Sequence, residues 1–514
     1  MKPRLKIFFL LLGLAGLMAT VPAPAQTFGN LHFFSAGLTN LDGSEPSGSL
    51  LLLGNALYGS AGYGGTNGTG SIFVVATNGT SFTNLHNFSA RTTDGFGHAT
   101  NSDGAGPTGG FVLSGPLLYG TAFAGGTNGN GTVFAINTNG TGFNVLHHFS
   151  AGRTNAAGLL TNSDGTTPTT GLILSGTTLY GTASSGGTNG YGTVFALGTN
   201  GTGFTTLHTF TALTMVTSNN SDGANPYAGL MLSGSTLYGT TQFGGTNATG
   251  TLFALNPNGS SFTNLHNFAV AARNAANYLT NSDGANTRAR LILSGSTLFG
   301  TATFGGTNSF GTVFALQTNG TAFTTLHQFA NGSTNALYEL TNADGAYPQG
   351  GVILSGTTLY GAAEYGGTLG LGTIFSLNTN GGNFAVLKAF PAASFNLNFF
   401  TETNSIGGYP QSALMLSEGV LYGSAALDAP YGSGSLFSIT LGSVGNEPPL
   451  AISHSGTNVL MAWPTNFTGF ALYYTTNLAP AGWTIVSQRA VIVGTQYVVT
   501  NGYSGTQMFY RLSQ

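Results

Sequence analysis

The sequence contains no cysteine and few charged side chains. Without cysteine, the 514-residue chain can form no disulfide and offers no thiolate as a nucleophile or metal ligand. Charged residues make up only 5% of the chain, with 11 Lys and Arg against 14 Asp and Glu. Nucleic-acid binding requires clustered basic side chains, so this composition argues against nucleic acid as a partner. A helical pattern is also missing, because glycine reaches 82 residues and no window shows a sustained apolar period of 3.6 residues.

Most of the chain consists of seven copies of one pattern. An L-Y-G element (L-F-G in the fifth copy) recurs in steps of 61, 61, 58, 61, 61 and 62 residues, at Tyr58, Tyr119, Tyr180, Tyr238, Phe299, Tyr360 and Tyr422. A fixed period of this size indicates stacked supersecondary units. In the third copy, stretches at 172–175, 178–183, 193–197 and 204–210 predict four short strands, and an Asn-Gly turn with positive φ at both residues is expected before the last. Four antiparallel strands per copy are typical of a β-propeller blade.

The ends of the repeat array predict a closed ring. The fourth-strand pattern F-x-x-L-H-x-F occurs at residues 28–34, before any first strand, and is absent after the seventh copy. The N-terminal strand is therefore expected to complete the last blade, which would remove the exposed edges of an open array. We predict an all-β protein: a seven-bladed β-propeller closed by the N-terminal strand and followed by a small β-sandwich. An open β-solenoid is the structural alternative.

The first 25 residues have the pattern of a signal peptide. Lys2, Arg4 and Lys6 precede an apolar stretch that is too short for a confident membrane span, and an A-x-A site ends at Ala25. Cleavage would leave a mature chain without a transmembrane segment. We expect that chain to be secreted or associated with the cell surface, and to be a monomer.

Three further segments follow the predicted leader. Residues 26–443 are expected to form the propeller, and 444–449, which contain Pro-Pro, a linker. Residues 450–514 hold both tryptophans and read as five short strands, which is enough for a small immunoglobulin- or fibronectin-like β-sandwich.

Six of the nine histidines occupy the same fourth-strand position, and each is followed by an Asp-Gly turn. Since a partly buried carboxylate needs donors, we predict a structural hydrogen bond in each of the pairs His32–Asp42, His86–Asp103, His147–Asp164, His208–Asp222, His266–Asp283 and His327–Asp344. The seventh position holds Lys388, and the corresponding junction at 405–410 has no Asp. Each Asp could also accept hydrogen bonds from the amides of its own turn. A metal array and a general-base dyad are the functional alternatives, disfavoured because the six rings would lie far apart and one active site needs one dyad.

Two loop motifs have functional alternatives of their own. The T-N-S-D-G strings offer one carboxylate each, whereas calcium prefers several, so only weak calcium sites remain as an alternative. The glycine-rich loops, such as residues 64–70, lead into a strand rather than a helix, which favours hairpin loops over phosphate cradles. We therefore predict no metal site, no cofactor and no catalytic residue.

The candidate ligand-binding surface is the face with the long loops. The inter-blade segments and the loops between second and third strands are long, should emerge on one face, and are rich in Asn, Thr, Gly and aromatic residues. A proline follows the Asp-Gly turn, or its counterpart, in every junction except the fifth, which reads T-R-A-R at 287–290. Arg288 and Arg290 are predicted to point into the channel mouth and to bind a carboxylate; a solvated loop or pairing with a nearby acid is the alternative. Glu364 is the third candidate ligand-binding residue, and it could also belong to a glycosidase carboxylate pair.

The repeat "LSGxTLYGT…GGxxGxGTVFxL…NGxxFxxLHxF" resembles the GloVer tandem repeat of secreted "choice-of-anchor" bacterial proteins, over residues 28–439. The segment that ends in FYRLSQ resembles an immunoglobulin-like module of exported bacterial proteins. The resemblance implies export and a tandem-repeat architecture, and it supplies no catalytic residues. The expected function is a non-catalytic binding or adhesion protein whose partner is a polysaccharide or cell-envelope material. A secreted carbohydrate-active hydrolase or lyase and a structural surface-coat protein are the alternatives.

Overall fold

The computed structural model describes residues 26–37, 39–95, 97–275, 277–335, 339–396, 401–441, 450–455, 458–465, 470–476, 484–494, 496–502 and 508–513. All regular secondary structure in these segments is β-strand, as the sequence predicted. The predicted signal peptide (1–25), the predicted linker (444–449) and Trp483 lie outside the described residues. The chain divides into two compact units, of which one is Phe28–Ile439 and the other contains Thr440–Gln514.

Seven four-stranded sheets, numbered here 1 to 7, make up the unit Phe28–Ile439, one for each copy of the repeat. In sheets 1 to 6 the strands pair in the order in which they follow one another along the chain. The strands of sheets 1 to 3 are β2 (Leu51–Leu53), β3 (Ala56–Ala61), β4 (Ser71–Ala76) and β5 (Thr83–Asn87); β8 (Val112–Ser114), β9 (Leu117–Ala122), β10 (Thr132–Asn137) and β11 (Asn144–His148); and β14 (Ile173–Ser175), β15 (Thr178–Ala183), β16 (Thr193–Gly198) and β17 (Thr205–Thr209). Those of sheets 4 to 6 are β18 (Met231–Ser233), β19 (Thr236–Thr241), β20 (Thr251–Leu255) and β21 (Thr263–Asn267); β24 (Ile292–Ser294), β25 (Thr297–Ala302), β26 (Thr312–Gln317) and β27 (Thr324–Gln328); and β30 (Val352–Ser355), β31 (Thr358–Ala363), β32 (Thr373–Asn378) and β33 (Ala385–Ala389).

Sheet 7 joins the two ends of the repeat array. Its strands, in order of pairing, are β1 (Thr27–Phe33), β38 (Ser435–Thr440), β37 (Val420–Ala425) and β36 (Met415–Ser417). The N-terminal strand therefore takes the fourth-strand position of the last sheet, as predicted. The Phe34 amide donates to the Gly434 carbonyl at 3.1 Å, and Phe28 stacks on Phe437 with ring centroids 5.6 Å apart.

The long segments between sheets carry short hairpins of their own. These are β6 (Thr92–Thr93) with β7 (Ala99–Thr100), β12 (Arg153–Thr154) with β13 (Leu160–Thr161), β22 (Ala272–Arg273) with β23 (Leu279–Thr280), β28 (Ser333–Thr334) with β29 (Leu340–Thr341), and β34 (Ser394–Asn396) with β35 (Thr401–Thr403). A bridge between Ala105 and Ala124, repeated at equivalent positions in all seven copies, joins each inter-sheet segment to the loop between second and third strands. Both kinds of long loop therefore emerge together, on what we call the long-loop face.

The apolar core of the repeat unit lies between neighbouring sheets. Phe88 of sheet 1 packs with Leu118 and Phe134 of sheet 2, and all three side chains are fully buried. Phe134 lies against Gly120, the glycine of the L-Y-G element. A Cβ atom at this glycine would lie 2.4 to 2.7 Å from the third-strand phenylalanine in every copy, so the ring requires glycine there.

The turns between the third and fourth strands differ from the expected geometry. Of the Asn-Gly pair in the third copy, Gly201 has a positive φ, of 81°, and Asn200 does not. The Gly201 amide donates to the Gly198 carbonyl at 2.8 Å, and the Gly198 amide donates to Thr202 at 2.9 Å. This is a type I turn followed by a left-handed glycine, rather than the type I′ turn that Asn-Gly predicted. The Asn200 Oδ1 instead accepts from the Thr202 amide, at 3.1 Å.

The second unit contains two sheets that share one core. One sheet pairs β39 (Ala451–Ser455), β40 (Asn458–Pro464), β44 (Gln496–Gly502) and β43 (Val491–Val493), and the other pairs β42 (Thr484–Ile485), β41 (Ala471–Thr475) and β45 (Phe509–Ser513), in those orders. Met461 and Trp463 of the first sheet pack with Leu472 and Leu512 of the second, all at least 95% buried.

Candidate functional site

A hydrogen bond joins each of the six predicted histidine–aspartate pairs. The His Nε2–H donates to the Asp Oδ2 at 2.9 to 3.1 Å, from His32 to Asp42, His86 to Asp103, His147 to Asp164, His208 to Asp222, His266 to Asp283 and His327 to Asp344. The hydrogen bond is largely shielded from solvent, since the side chains of His147 and Asp164 are 19% and 8% exposed. It ties each inter-sheet segment to the fourth strand before it.

The aspartate accepts further hydrogen bonds from the residue that follows the fourth strand. The Ser150 amide donates to Asp164 at 3.0 Å, and the Ser150 hydroxyl donates to the same carboxylate. Burial by itself raises the pKa of Asp164, but the hydrogen bonds from His147 and Ser150 outweigh it and hold the pKa below its ordinary value. The pKa values of Asp42 and Asp103 are lowered in the same way.

The asparagine of the N-x-D-G string accepts hydrogen bonds from the turn amides. The expectation that the aspartate could accept them differs from this finding. Asn162 Oδ1 accepts from the amides of Gly165 and Gly187 at 2.9 and 2.8 Å, and its Nδ2 donates to two carbonyls. Equivalent asparagines in the other six copies hold their turns in the same way. Because these oxygens already accept protein donors, the strings fit a structural role better than a calcium site.

Each of these histidines also stacks on a phenylalanine of the next sheet. The His147 ring lies parallel to Phe204, at 3.9 Å between centroids and 10° between planes. The same contact, at 3.7 to 4.0 Å between ring centroids, joins sheet 7 to sheet 1, sheet 1 to sheet 2, sheet 3 to sheet 4, sheet 4 to sheet 5 and sheet 5 to sheet 6. One histidine therefore links its own strand, the following segment and the neighbouring sheet.

The interface between sheets 6 and 7 keeps the phenylalanine of this unit but replaces the histidine, the aspartate and the residue with the donating amide together. Lys388 occupies the histidine position, with its Nζ 4.4 Å from the ring centre of Phe28. Ile406 stands where other copies have the aspartate, and Pro391, which has no N–H, stands where Ser150 donates in sheet 2. A carboxylate at position 406 would lack the imidazole and amide donors that hold Asp164 in place.

A cavity is lined by one equivalent residue from each of the seven repeats. We call this set the cavity ring; it consists of Ser47, Thr108, Thr169, Tyr227, Arg288, Gln349 and Gln411. On one side lies an inner compartment of about 360 Å³, lined also by backbone next to the first strands and by Arg290. On the other side lies an outer compartment of about 470 Å³, lined also by long-loop residues such as Glu45, Tyr63 and Phe123.

A chain of hydrogen bonds crosses four repeats beside the cavity ring. Arg288 Nη1 donates to Gln349 Oε1 at 3.2 Å. The Gln242 Oε1, in the amide orientation that its donors require, accepts from Arg288 Nε at 3.1 Å and from Nη2 at 2.7 Å. Gln349 Nε2 in turn donates to Glu364, and Gln411 Nε2 donates to Glu364 Oε1 at 2.7 Å. The structure thus connects two of the predicted ligand-binding residues, Arg288 and Glu364, through Gln349.

Glu364 is held as a structural member of this chain. Only 5% of the residue is exposed, and amide groups bind both of its carboxylate oxygens. Burial raises the pKa of Glu364, while the two amides and the charge of Arg288 oppose that shift. Such a group orients Gln349 and Gln411 at the cavity ring, and direct contact with a ligand is blocked by those side chains.

Arg290, the third predicted ligand-binding residue, lines the inner compartment together with Arg288. Thr287 replaces the junction proline here, and its hydroxyl donates to the Thr241 carbonyl at 3.0 Å. Burial lowers the pKa of Arg290. Both arginines therefore line one cavity.

An aromatic series lies on the long-loop face of repeats 5 to 7. Its ring contacts, with centroids 5.0 to 5.8 Å apart, run from Tyr278 to Phe310, Phe310 to Tyr347, Phe304 to Tyr347, Tyr347 to Tyr365 and Tyr365 to Tyr409. Tyr278 and Tyr365 keep 45% and 37% of their surface exposed. The pKa of Tyr365 is raised by burial and by the nearby carboxylates of Glu364 and Asp428, which places the series next to the hydrogen-bonded chain.

Sequence reasoning missed this series and the three glutamines of the hydrogen-bonded chain, Gln242, Gln349 and Gln411. A comparison of the seven copies with one another would have shown the signal. Tyr347 and Tyr409 precede the junction proline, a position with positive φ in all seven copies, and Gln349 and Gln411 follow that proline.

The repeated four-stranded sheets and the shared cavity define a tandem-repeat, all-β protein with a propeller-like arrangement. The family model of the Gloeobacter/Verrucomicrobia repeat matches residues 92–278, 156–336, 214–397 and 278–476, which together cover more than half of the chain. The protein therefore belongs to the Gloeobacter/Verrucomicrobia repeat family. No match was found among the curated protein sequences. Within the described residues, no helix is long and apolar enough to cross a membrane.

Several solved structures are similar to this chain at low identity. An oligogalacturonate lyase in complex with manganese is 11% identical, with a TM-score of 0.44, and the match covers 82% of this chain and 98% of that one. A puromycin hydrolase is 10% identical, with a TM-score of 0.42, covering 83% and 59%. TolB from Acinetobacter baumannii is 12% identical, with a TM-score of 0.31, covering 61% and 58%. Similarities at this level carry no inference about activity.

Proposed function

We propose that the seven sheets close into a seven-bladed β-propeller, with β1 as the latch. Two observations support the ring. An aromatic ring from one sheet lies on a histidine or lysine of the sheet before it at all seven interfaces, including that between sheets 7 and 1. One cavity is also lined by an equivalent residue from every repeat. A channel at the centre of such a ring is where propellers commonly bind ligands.

The function that we propose is non-catalytic binding or adhesion, with polysaccharide or cell-envelope material as the ligand. The aromatic series carries this proposal. Sugar rings pack on exposed aromatic faces while amides and hydroxyls bind their hydroxyl groups, and both kinds of group occur side by side here. Tyr278 and Tyr365 present the rings, and Gln349 and Gln411 present amides that Glu364 holds in place.

A secreted carbohydrate-active hydrolase or lyase is the second candidate. It is favoured by one observation: burial raises the pKa of both Glu45, which lines the outer compartment, and Glu364, which lies behind the cavity ring. A carboxyl group with a raised pKa suits a general acid. Glu364 is less suited to that task because two amides occupy its oxygens. Loss of polysaccharide cleavage in both Glu45→Gln and Glu364→Gln, with binding retained, would favour the enzyme over the binding protein.

We propose that the protein is exported and that its C-terminal unit is an immunoglobulin- or fibronectin-like sandwich. The leader pattern of residues 1–25 supports export, and the buried Trp463 between two small sheets supports the sandwich. N-terminal sequencing of the protein recovered outside the cell should begin at Gln26.

A glycan array tests the binding function. The full chain without its leader should bind a polysaccharide or cell-envelope glycan, and Tyr365→Ala and Tyr278→Ala should each weaken that binding at least tenfold. Phe243→Ala is the matched control, because Phe243 occupies the Tyr365 position of the fourth repeat, is 39% exposed, and has no ring contact among the described residues. Circular dichroism of each variant checks folding. Equal losses in all three variants, or no bound glycan, would reject the aromatic series as the site.

A further inference from the structure

The inner compartment contains a positive charge without a protein partner. The Arg290 guanidinium makes no hydrogen bond or ion pair with the part of the chain that the structure describes. Arg288 differs, since its guanidinium is bonded to Gln242 and Gln349. No carboxylate is present among the described residues that line this compartment. Arg290 is exposed to the space of the compartment, and the protein around it lowers its pKa.

The backbone around Arg290 also lacks a bond that other repeats make. The Thr121 hydroxyl donates to the Thr170 carbonyl at 2.8 Å, and the Thr182 hydroxyl donates to Ala228 at 3.1 Å. Their counterpart Thr240, in the repeat before this segment, is buried and has no partner among the described residues. A buried hydroxyl without a partner costs about 1–3 kcal/mol, so the segment is not optimised for stability. A position where one repeat lacks a hydrogen bond that other repeats make is the kind of exception expected at a functional site.

The remaining lining suits a small polar ligand. The compartment has a volume of about 360 Å³ and is lined by glycine backbone and by the hydroxyls of Ser47, Ser49 and Thr170. That volume lies within the range of small-molecule sites. The planar guanidinium fork matches a carboxylate, with two parallel N–H···O bonds. One free cation and several hydroxyls fit a ligand with one negative charge and hydroxyl groups.

We propose that the inner compartment binds a carboxylate-bearing ligand of monosaccharide size, with the Arg290 guanidinium as the carboxylate-binding group. Arg288 has a different role, because its hydrogen bond positions Gln349 on the cavity ring. This site is separate from the aromatic series, so it stands whether or not that series binds a glycan.

Calorimetric titration with D-glucuronate tests the proposal. The two sugars D-glucuronate and D-glucose differ by the carboxylate, so the wild-type chain should bind the first in a saturable way and show no measurable binding of the second. Arg290→Gln, which removes the charge, should weaken glucuronate binding at least tenfold. Arg273→Gln is the matched control: it removes the same charge from an exposed hairpin of the same repeat, where Arg273 donates to Asn277, and it should bind like the wild type.

Each alternative outcome has a defined meaning. Absence of glucuronate binding, equal affinity in Arg290→Gln, or equal binding of glucose overturns the proposal. Inorganic phosphate serves as a second anion, and tighter binding of phosphate than of glucuronate overturns the assignment to a carboxylate. If Arg290→Gln does not fold, Arg290→Lys supplies the comparison, because lysine keeps the charge but loses the bidentate fork. That variant should bind more weakly than the wild type, and unchanged affinity would reject the carboxylate fork.

Discussion

At the scale of single residues, the repeated histidine has two structural tasks. His147 donates to Asp164 at 2.9 Å and covers Phe204 with its ring at 3.9 Å. The carboxylate is buried and needs donors, and the ring contributes to packing between sheets. Both tasks are structural, and six equivalent copies repeat the hydrogen bond around the molecule. The pairs therefore belong to stability rather than to catalysis.

We predict that His147 and Asp164 are energetically coupled. His147→Ala, Asp164→Ala and the double variant should be non-additive in free energy of unfolding, with a coupling on the order of 0.5–3 kcal/mol, because each single variant leaves a buried group without its partner. Urea denaturation of the four proteins measures it. The exposed pair His98–Asp94, with side chains 47% and 30% exposed, is the control and should couple by less than about 1 kcal/mol. Full additivity at His147 and Asp164 would contradict the assignment.

Three of the paired aspartates, Asp42, Asp103 and Asp164, predict acid sensitivity. Their native pKa values lie below the ordinary 3.8, so the carboxylates stabilise the fold at every pH above that value, and this contribution is lost as the pH falls through the lowered pKa. The free energy of unfolding should therefore decrease below about pH 4. Asp164→Asn should be less stable than the wild type at pH 7, and the difference should shrink toward pH 2. A difference that is constant with pH would show that the charge of Asp164 contributes nothing.

At the scale of elements, the interface between sheets 6 and 7 shows that the histidine unit acts as a whole. Lys388, Pro391 and Ile406 replace the ring donor, the amide donor and the carboxylate together. Lys388 keeps only the contact with the phenylalanine, as a cation over the Phe28 ring. An aspartate placed alone at 406 would lack the ring and amide donors that the other copies supply.

We predict that the complete unit can be restored there. The change in the free energy of unfolding for the triple variant Lys388→His, Pro391→Ser, Ile406→Asp should be more stabilising, by about 0.5–3 kcal/mol, than the sum of the changes for the three single variants, since only the triple variant supplies donors and acceptor together. Ile406→Asp alone should destabilise. Chemical denaturation of the wild type, the three single variants and the triple variant measures these energies. If the triple variant is no more stable than that sum, the three positions do not form one unit.

At the scale of the whole molecule, the first and last repeats pack on each other as neighbouring repeats do. Phe34, which follows β1, is fully buried and packs on Phe73 of sheet 1 with centroids 5.4 Å apart. Phe88 packs on Phe134 in the same way, at 5.5 Å, between sheets 1 and 2. The interface that joins the chain ends thus has the packing of an internal interface.

We predict equal costs for the two phenylalanines. Phe34→Ala and Phe88→Ala should each reduce the free energy of unfolding by about 3–5 kcal/mol, because each leaves a cavity between two sheets. Thermal and urea denaturation measure it, and Leu41→Ala, at a site that is 79% exposed, should change stability by less than about 0.5 kcal/mol. A Phe34→Ala variant as stable as the wild type would mean that the N-terminal strand does not close the ring.

The sequence by itself determined the features that repeat. The repeat period, the alternation of apolar residues and the turn residues are local signals that occur in all seven copies. They therefore predicted the strands, the displaced N-terminal strand and the histidine–aspartate pairs. The shared loss at Lys388 and Ile406 was visible for the same reason. Local turn geometry was less secure: the Asn-Gly turn took a different type, and Asn162 rather than Asp164 binds the turn amides.

Only the tertiary structure decided what lies at the cavity. Residues one copy apart, such as Arg288 and Gln349, come together because sheets pack side by side, and no local pattern states which side chains then meet. Arg288 and Arg290 look alike in sequence, yet one is engaged by two glutamines and the other is free of protein partners in the described structure. That difference depends on distances between repeats, because hydrogen bonds form only at close range between groups that the fold has placed.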